Sequence, residues 1–226
     1  MEKNQYNLCI EVLERFRKAN FLNEIILIGS WCIQFYKAYF SDIEYISALK
    51  TRDIDFLIPV PSRLKRKTDV PELLKDLGFV IDFRGNEGYI KLVHPELIIE
   101  FLVPEKGKGI DKPYPLPQLG INAQTLRFLN MLTDNVITIK VENLQINVPH
   151  PANFALHKLI ISKRRAKKEK GSKDKEAAIR ILRALIRKGE QNTVKNLFNS
   201  LPRKWQNKII SAIESEKEYK ILENIS

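Results

Sequence analysis

Sulfur and imidazole are scarce in this chain: 226 residues contain two cysteines and three histidines. Cys9 and Cys32 both lie in apolar stretches of helical pattern, so they read as buried free thiols. His94, His150 and His157 are scattered and no cysteine pair accompanies them, which argues against a zinc site. Long apolar runs are missing as well; none approaches the roughly 18–20 residues that cross a bilayer. The first twenty residues carry Glu2, Glu11 and Glu14 among their basic side chains and lack the layout of a secretory signal. These absences set aside a disulfide scaffold, a zinc protein and a membrane partner, and make the cytoplasm the expected location.

What is present is an ordinary globular composition, 44% apolar and 29% charged, enough to build a core in one large domain or two small ones. The net charge of +11 is unevenly spread. Residues 1–149 hold 19 basic and 19 acidic side chains, whereas residues 150–226 hold 19 basic and 8 acidic. A basic final third should attract polyanions such as nucleic acid or nucleotide, although a well-solvated helical surface has the same composition.

Leu8, Val12, Leu13 and Phe16 recur at helical spacing between Asn7 and Asn20. Glu24 to Gly29 is a brief apolar run ending in glycine, the pattern of a buried strand, and Ser30 can cap a helix through Tyr39. Thr51 to Pro59 predicts a second strand beside the first. Val70 to Leu77 predicts a short helix stopped by Gly78, with Pro71 in its first turn, and Phe79 to Phe83 a strand. A turn from Arg84 to Gly88 leads to a hairpin of Tyr89–Val93 and Leu97–Val103. The stretch 105–120, rich in glycine and proline, reads as a loop over the sheet; 122–130 reads as a helix and 136–148 as two strands. Past Pro149 only helices are expected, at about 152–163, 174–188, 191–199 and 203–215. The expected fold is α+β: a small mixed sheet flanked by helices over 1–149, then a basic helical region over 150–226.

Three features carry chemistry. Gly29-Ser30 joins a strand to a helix, where backbone N–H groups and a hydroxyl can meet a phosphate. Asp53-Ile54-Asp55 places two carboxylates on one face of a strand, a repulsive pair that a divalent cation relieves. Glu100 sits inside the apolar run 97–103, where a carboxylate needs a partner: an arginine or lysine, an exposed sheet edge, or a metal shared with Asp53 and Asp55.

In this order the three features resemble the nucleotidyltransferase superfamily that includes DNA polymerase β, over roughly residues 25–103. Two departures from the family pattern stand out: 24 positions separate Gly29 from Asp53, and the third acid is Glu rather than the commoner Asp. The resemblance implies that Asp53, Asp55 and Glu100 are catalytic and hold two Mg²⁺ ions, with Mn²⁺ as an alternative. It implies that Gly29 and Ser30 bind the nucleotide's β/γ-phosphates, and that Glu100 is the candidate general base. A second likeness, to bacterial nucleotidyltransferases of the abortive-infection toxin type, rests on Lys158-Leu159 and Lys173-Asp174. It implies that Lys158 contacts the triphosphate.

The activity so implied is transfer of a nucleoside monophosphate from a nucleoside triphosphate such as ATP to a hydroxyl of RNA (tRNA, for example) or protein. Residues 163–175, with eight basic and two acidic side chains, can track an RNA backbone, bind the triphosphate, or form a solvated connection. Two other classes remain: a non-enzymatic nucleic-acid- or nucleotide-binding module, and the toxin component of a two-gene defence system.

Overall fold

A computed structural model describes residues 2–45, 51–60, 64–84, 88–105, 113–165 and 167–225. The chain divides into two units, Met1–Ala38 with Ser47–Pro149, and Tyr39–Ile46 with His150–Ser226. Among the described residues no helix is long and apolar enough to cross a membrane.

In the first unit, helix α1 (Glu2–Lys18) is followed by strand β1 (Ile26–Ile28), helix α2 (Trp31–Tyr39) and strand β2 (Asp53–Leu57). Helix α3 (Val70–Leu74) and strands β3 (Val80–Arg84), β4 (Tyr89–Val93), β5 (Ile98–Pro104), β6 (Tyr114–Leu116) and β7 (Ile121–Leu126) follow. A short helix α4 (Asn130–Thr133) and the hairpin β8 (Val136–Val141) and β9 (Leu144–Pro149) complete it. Seven strands form one mixed sheet in the order β1-β2-β5-β4-β3, with β7 joining at β5 and β6 at β7. Strand β5 organises the pairing. One of its edges runs parallel to β2 from Ile98 to Leu102; along the other, β4 is antiparallel at Ile98–Glu100 and β7 parallel at Leu102–Pro104.

Alternation along β2 and β5 produces two apolar layers. Ile54, Phe56, Ile99 and Phe101 are buried on one face, where Phe16 of α1 meets Phe56 at 5.2 Å and Phe101 at 6.2 Å between ring centroids. Three residues of the helical stripe expected in the sequence explain this docking: Val12, Leu13 and Phe16 are fully buried, while Cys9 takes the inward place expected of Leu8, which is only half-buried. Each such aromatic contributes roughly 1.5–3 kcal/mol through burial. On the other face Ile26, Ile28, Leu57, Leu102, Leu129 and Leu132 form a second cluster.

The second unit contains helices α5 (Pro151–Ser162), α6 (Lys168–Arg187), α7 (Gln191–Ser200), α8 (Arg203–Ser215) and α9 (Tyr219–Ile225). Helix α5 is central, buried at every residue except Ile161, and α6, α7 and α8 pack against it. His150 caps it, its Nδ1 accepting the Ala152 N–H at 3.2 Å, and Pro151 opens its first turn.

Three expectations are corrected. Residues 122–130 are not a helix; β7 runs to Leu126 because β5 offers an unpaired edge, and residues 121–124 alternate in burial as a strand does. The stretch 105–120 is not wholly a loop, since Tyr114–Leu116 adds strand β6; Pro115 is tolerated because, among the described residues, β6 lies outermost and pairs with β7 alone. Helix α6 begins at Lys168 rather than near 174, and α9 adds a helix held by buried Ile221 and Ile225. The part of the expected turn at 85–87 and of the expected loop at 106–112 lies outside the described residues.

Candidate active site

Parallel pairing of β2 with β5 sets Asp55 directly beside Glu100, and Asp53 beside Ile98. Paired residues on neighbouring strands share a face, as do residues two apart on one strand, so Asp53, Asp55 and Glu100 rise from the same side of the sheet. All three are partly exposed, whereas their neighbours Ile54, Phe56, Ile99 and Phe101 are buried against the opposite side. The same face carries the Ile28–Leu57–Leu102 cluster one step further along, so the acids begin where the apolar layer ends.

Strand β1 brings the strand-to-helix junction to this place. Ile28 pairs with Asp55, which puts Gly29 immediately beside that carboxylate. Gly29 has φ +74°, and a Cβ on it would lie 2.1 Å from Asp55 Oδ2. Only glycine satisfies both the left-handed backbone and that approach. Ser30 precedes α2, whose first amides and dipole end are suited to an anion; Cys32 and Ile33 N–H groups bond to Gly29 and Ser30 carbonyls.

Glu100 has a cationic neighbour that sequence reading had left unidentified. Lys91 on β4 is its register partner, and the Lys91 ammonium donates to Glu100 Oε1 at 2.5 Å. The expected hairpin, turning over 94–96, would have paired Val93 with Leu97 and set Lys91 opposite Ile99; the observed register pairs Val93 with Ile98, which sets Lys91 opposite Glu100. Asp82 of β3 faces Lys91 from its other side, so one row across the sheet reads Asp82, Lys91, Glu100, Asp55.

Among the described residues no three His, Cys, Asp or Glu side chains are gathered tightly enough to enclose a metal ion as they stand. The donor set nonetheless suits a hard divalent cation: carboxylate oxygens on adjacent register positions, at a partly exposed sheet face, with glycine backbone alongside. Lys91 draws Glu100 into an ion pair of its own, with side-chain exposures of 28% and 17%.

Lys158 lies in the second unit, on α5. Its ammonium is buried and donates to Asp174 Oδ1 at 2.6 Å, while Arg165 donates to Asp174 Oδ2 at 2.7 Å. His157 beside it is fully buried, its Nε2 without a hydrogen-bond partner among the described residues, and burial with the Lys158 charge pushes its pKa down to about 3. Nearby, the Tyr39 hydroxyl donates to Glu190 at 2.6 Å. It lies 3.0 Å from His150 Nε2, which carries the ring proton because Nδ1 is the helix cap. Burial holds the His150 pKa below its ordinary value, against the opposing pull of Glu190.

Two comparisons with known proteins bear on this arrangement. The fold is similar to that of ANT(2'')-Ia in complex with adenylyl-2''-tobramycin, at 11% identity and TM-score 0.52, covering 86% of this chain and 94% of that one. It is also similar to an antigenic nucleotidyltransferase-like protein from Paracoccidioides brasiliensis, at 13% identity and TM-score 0.53, covering 96% and 90%. At these identities the likeness speaks for the fold. No curated protein matches the chain significantly. A family model described as Nucleotidyltransferase matches residues 7–202, a span that takes in the junction at Gly29, all three carboxylates and the Lys158–Asp174 pair. The chain therefore belongs to this nucleotidyltransferase family and is a transferase.

Proposed function

We propose that this enzyme moves a nucleoside monophosphate from a nucleoside triphosphate such as ATP to an acceptor hydroxyl at the face formed by Asp53, Asp55 and Glu100: the acceptor oxygen bonds to the α-phosphorus, the α–β anhydride bond breaks and pyrophosphate leaves. The observation that carries this reading is the pairing of Asp55 with Glu100, with Asp53 two residues away and Gly29 against the Asp55 carboxylate. Divalent cations bound at this face (two Mg²⁺, or Mn²⁺ in their place) would neutralise the triphosphate and lower the acceptor's pKa. Asp53 and Asp55 are the residues assigned to hold them, joined by Glu100. Glu100 also accepts the acceptor's proton, a role within reach of a carboxylate that is partly exposed rather than sealed. Gly29 and Ser30 take the β/γ-phosphates at the positive end of α2. Within the helical unit Lys158 remains the lysine we assign to the triphosphate, a contact that requires its buried ammonium to leave Asp174.

For the acceptor we favour RNA, tRNA foremost. Seven of the eight basic residues of 163–175 are exposed, as a surface tracking a phosphate backbone requires. A protein hydroxyl is the second candidate class, and a small-molecule hydroxyl, as in the adenylylated tobramycin of ANT(2'')-Ia, the third. The toxin subtype draws support from the Lys158–Asp174 bond, which joins the two pairs on which that likeness rests.

The test is to incubate the purified protein with each labelled triphosphate, Mg²⁺, and either tRNA, a cell lysate or aminoglycosides. Asp53→Asn and Asp55→Asn should each lower transfer by about 10³-fold or more with unchanged circular dichroism. Full activity in either variant refutes the assignment. The class of molecule that gains label identifies the acceptor.

A further inference from the structure

A lysine placed on the third carboxylate of a cation-binding face has two bearings on that face: it satisfies the acid, and it competes for it. Lys91 is in this position. Its ammonium lies 2.5 Å from Glu100 Oε1, and the contact is fixed by strand register rather than by a loop, because Lys91 and Glu100 are the end pair of a β4–β5 register that continues through Leu92–Ile99 and Val93–Ile98. The pair is partly shielded, at 28% and 17% side-chain exposure, so its charges are less screened than those of a surface ion pair. On its other side Lys91 faces Asp82, which gives a displaced ammonium a second carboxylate on the same face.

We propose that Lys91 is a positioning residue that holds Glu100 by occupying the carboxylate a divalent cation needs, so that Lys91 sets how tightly the face takes up its metal. The inference rests on the reading that Asp53, Asp55 and Glu100 bind a divalent cation. Cation uptake at Glu100 then exchanges the Lys91 contact, and Lys91 moves toward Asp82 or solvent. Its charge also repels any cation on Asp55, the neighbour of Glu100 on β2. Removing that charge strengthens metal binding; keeping it in another form does not.

The experiment titrates the full chain with Mn²⁺ and follows the free ion by electron paramagnetic resonance, with label transfer measured on the same samples. Lys91→Met keeps the aliphatic stem and loses the charge; it should bind Mn²⁺ ~10-fold or more tighter than wild type. Lys91→Arg keeps the charge and should stay within about twofold. Should Lys91→Met fail to fold, Lys91→Gln carries the same expectation. In a Lys91→Met/Asp55→Asn protein the gain should disappear. Equal or weaker Mn²⁺ binding by Lys91→Met, or no binding by either protein, overturns the role of Lys91. If wild type binds Mn²⁺, Lys91→Met gains nothing and Asp55→Asn abolishes wild-type binding and transfer, the carboxylate site stands without the role of Lys91. Mn²⁺ binding indifferent to Asp55→Asn overturns both readings.

Discussion

Replacing Gly29 with alanine tests the site through a single methyl group. Two effects can be separated. Alanine at φ +74° carries the strain of the left-handed region, roughly 1–2 kcal/mol. The new Cβ also lies 2.1 Å from Asp55 Oδ2, where ordinary contact begins near 3.4 Å, so the carboxylate must retreat by 3.4 − 2.1 = 1.3 Å. A displacement of about 1 Å in a reacting group lowers turnover by ~10²-fold, so transfer should fall by at least that much. The strain alone should lower the melting temperature by only about 2–8 °C. Gly189→Ala supplies the control: φ is +81° there and no atom of the described residues lies within 4 Å of the added Cβ, so strain is present without collision. Label transfer would be measured well below both melting temperatures, with melting followed by circular dichroism. Gly29→Ala should lose transfer and Gly189→Ala should keep it, at similar cost in stability. Transfer within a few-fold of wild type in Gly29→Ala would refute the claim that this glycine exists to admit Asp55.

Two further outcomes concern the helical unit. His157 is neutral in the fold, its pKa pushed down to about 3, whereas the unfolded chain protonates it near its ordinary 6.5. Its contribution is fully present above pH 6.5 and is lost as pH falls toward 3, by about 2 kcal/mol between pH 7.5 and pH 5. Urea unfolding at the two pH values should show that loss in wild type and a smaller one in His157→Gln; equal losses would exclude His157 as the source. Asp174→Ala should destabilise by ~3–5 kcal/mol, because it strands the Lys158 ammonium in a buried position. Lys158→Met/Asp174→Leu should recover most of that loss in the same assay, and a loss below about 1 kcal/mol in Asp174→Ala would show that the ammonium reaches water.

Much of the architecture was legible wherever one local period dominated. The stripe Leu8–Val12–Leu13–Phe16 pointed to α1 and most of its buried face, with Cys9 rather than Leu8 turned inward, because apolar residues at helical spacing have one way to leave water together. Alternation in Asp53-Ile54-Asp55 fixed a shared face for the two aspartates, since side-chain direction along a strand is a property of the chain itself. The glycine at position 29, the apolar run around Glu100 and the turn to helices after Pro149 were likewise visible in sequence. What lay beyond local pattern was partnership. Residues 121–126 became a strand because β5 had an edge to fill, a demand set by residues some twenty positions earlier. Lys158 looked like a lysine on a basic helix, yet α5 is buried nearly all round, and Asp174 on the next helix supplies its counter-charge. The sequence determined which groups this protein has for chemistry and on which side of a strand they stand. Tertiary structure alone decided that Glu100 neighbours Asp55, that Gly29 makes room for it and that Lys91 holds the third carboxylate, because strand order and register belong to the sheet and not to any one strand.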